Sequence, residues 1–110
     1  MRSTLIFLFF AVPFTAQSNA PHNLKVLRTS STEEVNQVMR TFTLGLGVQC
    51  EYCHVQRDFA SDANAKKQDA RRMIRLLQKV NAEFPDGSMR VSCYTCHRGE
   101  AQPRTAPEPH

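Results

Sequence analysis

Four cysteines in the chain form two pairs, and a histidine follows each pair directly. The pairs lie at residues 50–54, Cys-Glu-Tyr-Cys-His, and at residues 93–97, Cys-Tyr-Thr-Cys-His. One helical turn places residues three apart on one face, so the two thiols can form thioethers with the two vinyl groups of a haem while the histidine reaches the iron. The pattern therefore predicts two covalently attached c-type haems. The residues that would hold them are Cys50, Cys53 and His54, and Cys93, Cys96 and His97.

Paired cysteines also serve other chemistries. A four-cysteine zinc site uses the same pairs, but it requires neither His54 nor His97, and the gap from Cys53 to Cys93 exceeds the usual zinc-ribbon spacing. Two disulfides would suit an oxidising compartment. A thioredoxin-like redox motif requires a βαβ pattern, which the sequence lacks. The histidine after each pair favours haem over all three.

The N-terminus has the plan of a secretory signal peptide. Arg2 precedes an apolar run over residues 5–14, and small or polar residues follow up to Ala20. The run contains Pro13 and is far shorter than the ~20 apolar residues of a spanning helix. We predict a signal peptide over residues 1–20 and a periplasmic protein without a transmembrane segment after cleavage. An uncleaved leader would instead hold the protein at the membrane.

The remaining 90 residues allow one domain with a thin core. Domains of this size depend on additional stabilising groups such as disulfides, metals or cofactors, and two haems would fill that role. We place the di-haem domain at residues 21–102 and a flexible proline-rich tail at residues 103–110. Loss of the leader leaves 13 basic against 10 acidic residues, and four haem propionates would bring the balance close to zero. This charge does not favour a nucleic-acid partner.

Two amphipathic helices are predicted to position the motifs. The first runs over residues 31–44, begins with Ser31 and Glu34 as a capping box, and is ended by glycines at 45 and 47. The second runs from about residue 64 to 84 and is ended by Pro-Asp-Gly. No run alternates cleanly enough for a strand. The prediction is an all-α, small multihaem cytochrome c with two helix-turn-C-x-x-C-H units packed around two haems.

The ligand on the far side of each iron decides between an electron carrier and a catalyst. A methionine there raises the reduction potential and leaves no open position. Met39 and Met73 each lie on the apolar face of the helix before a motif, and this repeat favours them, although a methionine at helical spacing is otherwise a core residue. Met89 is too close along the chain to the second motif. His22 and His110, near the ends, are the remaining candidates.

These residues resemble the tetrahaem cytochrome subunit of bacterial photosynthetic reaction centres and its shorter relatives. The similar segments are residues 35–39, 50–55, 58–59, 70–73 and 93–99. The resemblance covers most of residues 24–103. It implies that the helix methionine is the distal ligand, Met39 for the first haem and Met73 for the second. The family's subunit carries four haems, so this chain resembles one half of it.

Three functions follow as hypotheses. The leading one is an electron carrier between redox proteins, or to a membrane-bound redox complex, and not an enzyme. The second is a small haem enzyme, such as a peroxidase, with one open iron position. The third is a subunit that forms one link in a larger electron conduit. Four arginines could pair with haem propionates or lie on a solvated helix face; they are Arg71, Arg72, Arg75 and Arg98.

Overall fold

Three α-helices and one 3-10 turn make up the regular structure of residues 20–109, the part of the chain that the computed structural model describes. They are α1 (Thr32–Leu46), the 3-10 turn (Cys50–Tyr52), α2 (Ala65–Ala82) and α3 (Cys93–His97). These residues contain no strand, and a single isolated bridge joins Val55 to Asp58. The all-α prediction is confirmed. The predicted signal peptide, apart from residue 20, lies outside the described residues.

The first helix begins where its cap was predicted. Ser31 accepts a hydrogen bond from the Glu34 amide at 3.3 Å, and the Glu34 carboxylate accepts one from the Thr29 hydroxyl. The helix ends two residues later than predicted, because Gly45 lies inside its last turn and Gly47 alone caps it in the left-handed conformation, with φ of 65°.

The last turn of α1 packs against α3, and this is the main contact between helices in the described residues. A Cβ on Gly45 would lie 2.9 Å from the Cys93 Cβ, and a Cβ on Gly47 would lie 2.0 Å from the Gly99 carbonyl oxygen. The Gly99 amide donates to the Gly45 carbonyl at 2.8 Å. The glycines therefore bring the end of the first helix against the second motif.

Both ends of α2 are tied to the motifs by asparagines. At the start, Asn64 caps the helix by accepting from the Lys66 amide at 3.0 Å, and its Nδ2 donates to the Tyr52 carbonyl at 3.1 Å. Near the end, Asn81 donates to the Val91 carbonyl at 2.7 Å and accepts from the amides of residues 90 and 91. No helix within residues 20–109 is long and apolar enough to span a bilayer.

Residues 20–109 bury no hydrophobic side chain completely, in agreement with the thin core that the sequence predicts. The buried positions in this range are instead Gly45 and two cations, Lys67 and Arg71. Several large apolar side chains are exposed; they are Leu44, Phe59, Met73, Leu76, Val80, Met89 and Tyr94. Apolar packing between these side chains therefore contributes less to stability than in an ordinary domain.

The Gly47 contact gives a stability prediction. We expect Gly47→Ala to lower the free energy of unfolding of the holoprotein by about 2 to 4 kcal/mol, because it adds a backbone clash to the cost of a left-handed alanine. Gly87→Ala is the matched control, because Gly87 has φ of 66° and open space around its Cα. It should cost only about 1 kcal/mol. Titration with guanidinium chloride measures the free energy of unfolding of both variants. Equal losses in the two would contradict a role for the contact between Gly47 and Gly99.

Candidate haem sites

The first motif lies on the 3-10 turn and the two residues that follow it. The His54 and Cys53 amides both donate to the Cys50 carbonyl, at 3.0 and 3.3 Å, so that the pair and the histidine share one tight turn. Cys50 is exposed and Cys53 is half-buried. Burial raises the pKa of the Cys53 thiol above its ordinary value.

The second motif forms all of α3, a single helical segment, as the thioether geometry requires. Ser92 and Thr95 cap it reciprocally: the Ser92 amide donates to the Thr95 hydroxyl at 2.9 Å, and the Thr95 amide donates to the Ser92 carbonyl at 3.1 Å. Cys93 is half-buried beneath Gly45, and Cys96 is exposed. Burial raises the pKa of the Cys93 thiol.

Both motif histidines are fixed in the same way. The Nδ1 of His54 lies 3.0 Å from the Phe59 carbonyl oxygen, and the Nδ1 of His97 lies 2.9 Å from the Glu100 carbonyl oxygen. A carbonyl only accepts, so each Nδ1 carries the proton and donates it. This leaves Nε2 as the nitrogen available to iron, which is how an imidazole binds a metal with its other nitrogen supported.

The loop after the first motif contacts His54 through both the ring and the carbonyl of Phe59. The Phe59 ring meets the His54 ring edge-on, with centroids 5.3 Å apart and planes at 66°. The Phe59 carbonyl, already bound to His54, also accepts from the Lys67 ammonium at 2.8 Å, and Lys67 donates to the Ser61 carbonyl at 2.9 Å. Helix α2 thereby fixes the position of the carbonyl that orients the histidine.

The buried cations share one carboxylate. Asp62 lies 3.0 Å from Arg71, 3.4 Å from Lys67 and 3.1 Å from Lys25, and it accepts a hydrogen bond from Asn23 at 2.9 Å. The hydrogen bond from Arg71, followed by those from Asn23 and Lys25, holds the pKa of Asp62 well below its usual range. These contacts fasten the segment before α1 onto α2.

The residues present fit the predicted cofactor. Arg71 is 5% exposed, and its Nη1 is a buried nitrogen without a hydrogen-bond partner, while its Nη2 binds Asp62 and the Asn23 carbonyl. A buried, unpartnered guanidinium nitrogen suits a carboxylate such as a haem propionate. A large apolar macrocycle likewise suits the exposed apolar residues Met73, Leu76 and Val80, which share one face of α2.

The arginines that the sequence offered as propionate partners lie in different surroundings. Arg71 is buried, as described above. Arg72 is exposed and pairs with Asp69, and Arg75 and Arg98 are exposed. Arg71 is therefore the member of the set whose surroundings fit the propionate hypothesis best.

The candidate distal ligands differ in exposure. Met39 is half-buried on α1, and Met73 is 49% exposed on α2. Met89 is 76% exposed in the loop before α3, and His22 is exposed ahead of the segment that Asp62 binds. His110 lies outside the described residues. Met39 and Met73 thus lie on α1 and α2, the helices that the sequence predicted for them.

The second motif opens onto a cavity of about 840 Å³. Cys96, His97 and Arg98 line one side, and residues 103–107 of the predicted tail line the other. Arg104 pairs with Glu108 at 2.6 Å and lies 3.5 Å from Glu100, whose carbonyl holds His97. The segment after the motif thus forms part of the surroundings of His97.

The zinc and disulfide hypotheses gain no support from these positions. Within residues 20–109, no three side chains among histidine, cysteine, aspartate and glutamate converge on one point. All four cysteines are unpaired. The two motifs therefore lie as separate sites, each with one histidine.

Sequence reasoning missed several residues that position the motifs, namely Phe59, Asp62, Lys67, Asn81 and Glu100. Phe59 and Glu100 act through their backbone carbonyls, which every residue type has, so the sequence does not mark them. A lysine or an asparagine on a polar helix likewise gives no sign of burial before the fold is known.

The model of the photosynthetic reaction centre cytochrome c subunit family matches residues 14–107. The chain belongs to this family. The predicted resemblance is therefore confirmed over most of the chain. The match includes both C-x-x-C-H motifs and the two long helices that precede them.

Curated relatives agree with the family match. Cytochrome c-554 of Chloroflexus aurantiacus is 42% identical over 81 residues, which cover 68% of this chain and 20% of the relative. The photosynthetic reaction center cytochrome c subunits of Rubrivivax gelatinosus and Thermochromatium tepidum are 36% and 34% identical, over 74% and 81% of this chain and 23% of each relative. The chain thus spans about a quarter or less of their length. No solved structure matches the chain.

The Asp62 cluster predicts a pH-dependent stability. Because the pKa of Asp62 is lowered by folding, its contribution is fully present above the ordinary aspartate pKa of about 4 and is lost as the pH falls below it. We expect Asp62→Asn to lower the melting temperature of the holoprotein at pH 7 by more than twice the effect of Asp69→Asn, an exposed pair with Arg72. Calorimetry should show that the difference in melting temperature between the wild-type protein and Asp62→Asn narrows below about pH 4. A difference that stays constant with pH would contradict the role of the Asp62 carboxylate.

Proposed function

We propose that the chain is a periplasmic di-haem c-type cytochrome that carries electrons between redox partners. Two haems are attached through Cys50 and Cys53 and through Cys93 and Cys96, with His54 and His97 on the irons. The protein acts as a carrier and not as an enzyme. Its membership of a cytochrome c subunit family supports covalently bound haem c, and the two motifs support a count of two.

One observation carries this proposal. Both motif histidines donate Nδ1–H to a backbone carbonyl three or five residues further on, at 2.9 and 3.0 Å, and so present Nε2. A disulfide pair or a four-cysteine zinc site uses no histidine and would not require this hydrogen bond at each motif. Two independent segments with the same imidazole arrangement support the same iron chemistry at both.

The haem supplies a reversible one-electron couple at its iron. The chain's residues adjust that couple. The carbonyls of Phe59 and Glu100 make each imidazole a stronger donor to iron by accepting a hydrogen bond from its Nδ1–H, and Lys67 holds the first of these carbonyls in place. Arg71 would bind a propionate through its free Nη1.

Met39 and Met73 are proposed as the distal ligands of the first and second haem. Each is on the helix before its motif, on a face with other apolar residues, and thioether ligation agrees with a carrier that has no open iron position. Met39 is half-buried and Met73 half-exposed, so neither side chain is fully enclosed by the protein.

The proposed location and organisation follow from the sequence. Residues 1–20 would be removed as a signal peptide, leaving the di-haem domain at residues 21–102 and the tail at residues 103–110. Covalent haem attachment outside the inner membrane agrees with export. Relatives that are reaction center cytochrome subunits support redox proteins, or a membrane-bound redox complex, as partners.

The decisive experiment is a pyridine haemochrome count with optical spectra of the exported protein. We expect two c-type haems per chain, a weak long-wavelength sulfur-to-iron band in the ferric form and no spectral change when carbon monoxide is added to the ferrous form. One haem that binds carbon monoxide would favour the small haem enzyme instead. No covalent haem would exclude the proposal.

Single substitutions test the distal ligands. We expect Met39→Ala and Met73→Ala each to remove about half of the sulfur-to-iron band, lower one of the two reduction potentials and open one haem to carbon monoxide. Met89→Ala, the exposed methionine close to the second motif, is the control and should change none of these. Loss of the band in Met89→Ala, or its full retention in Met73→Ala, would assign the second haem differently.

A further inference from the structure

Positive charge is concentrated on one helix. Between Ala65 and Ala82, α2 carries six lysines and arginines and a single acidic residue. Between Thr32 and Leu46, α1 carries two glutamates and one arginine. The mild overall basicity of the chain therefore hides a strongly basic helix, and the haem sites described above account for only part of it.

The six cations of α2 have different surroundings. Lys67 and Arg71 are buried against Asp62, and the exposed Lys66 lies over the Tyr52 ring at 5.4 Å. The other three are also exposed, and their spacing of three and four residues places them on one face. We call this face the basic stripe; it consists of Arg72, Arg75 and Lys79.

The basic stripe is compensated at only one of its three cations. Arg72 pairs with Asp69, but within residues 20–109 neither Arg75 nor Lys79 has an ion-pair partner. Glu83, the residue that caps α2, is the one acidic side chain that follows within a turn. Like charges three and four residues apart destabilise a helix, so nothing in α2 itself favours this arrangement.

The stripe borders the apolar face of the same helix. Met73, Leu76 and Val80, exposed by 49%, 52% and 37%, each follow a basic residue of the stripe by one position. The cations therefore lie along the side of the helix next to the candidate ligand Met73. Charges at the rim of a redox site guide the approach of an oppositely charged partner and fix its orientation.

We infer that the basic stripe is the docking surface for an acidic protein, the redox partner of this cytochrome. The inference rests on the proposed electron-carrier function and adds the charge of the partner and the helix that receives it. A protein fits better than an anionic membrane, because membrane-binding clusters contain about four to eight basic residues and the stripe has three. The charge of the partner's surface is negative, and its contact area includes α2.

The test compares two oxidants of opposite charge on the ferrous holoprotein, hexacyanoferrate(III) and tris(phenanthroline)cobalt(III). The stripe variant is Arg75→Glu. The control is Arg28→Glu, an exposed cation away from α2 that, like Arg75, has no ion-pair partner within residues 20–109 and changes the net charge by the same amount. Stopped-flow rate constants are measured at low and high ionic strength, together with both reduction potentials.

At low ionic strength we expect the stripe variant to react about five-fold or more slowly with hexacyanoferrate and faster with the cobalt complex, and the control to change by less than about two-fold. The differences should vanish at about 0.5 M salt, where exposed charges are screened. Poly-L-glutamate, a redox-inactive acidic polypeptide, should inhibit the reaction of hexacyanoferrate with the wild-type protein and not with the stripe variant.

Three results would overturn the inference. Equal changes in stripe and control variants would show that only net charge matters. A shifted reduction potential with an unchanged salt dependence would show that the stripe binds propionates instead. Binding to phosphatidylglycerol vesicles that requires the stripe, without inhibition by poly-L-glutamate, would make the partner a membrane. In each case the haemochrome count and spectra still decide the electron-carrier proposal separately.

Discussion

The arrangement of the two motifs depends on the close approach of two backbones. The Gly99 amide donates to the Gly45 carbonyl at 2.8 Å, and the absence of a side chain at Gly45 and Gly47 is what lets α3 reach the end of α1. The first motif begins only three residues after Gly47, so this contact holds the second C-x-x-C-H segment against the end of the helix that leads into the first. A larger residue at either glycine would force α1 and α3 apart.

Polar contacts do much of the positioning that an apolar core does in larger domains. Asn64 and Asn81 join the two ends of α2 to the two motifs, and Asp62 binds the buried cations Lys67 and Arg71. Such contacts are specific in direction but contribute modest net free energy. Covalent attachment and the burial of apolar haem surface would add the stability that 90 residues without a buried hydrophobic side chain lack.

The sequence predicts the parts of this fold that depend on local chemistry. The capping residue Ser31, the apolar spacing of both helices and the paired cysteines are readable from neighbouring positions, and the described residues confirm the helices. The end of α1 was misplaced because Gly45 looks like a helix stop, whereas its lack of a Cβ serves a contact with residues almost fifty positions away. The acceptors for His54 and His97 are backbone carbonyls, which any residue could supply, so no sequence pattern identifies them.

Helix α2 combines three roles because its sides face different neighbours. One side buries Lys67 and Arg71 with Asp62, another carries Met73 among exposed apolar residues, and the third is the basic stripe. An α-helix with its side chains is only about 10 to 12 Å across. A partner seated on the stripe would therefore lie within one helix diameter of Met73, the proposed ligand of the second haem. On the proposed ligation, such a partner would be next to the second haem, whereas α1, which carries Met39, has one arginine against two glutamates.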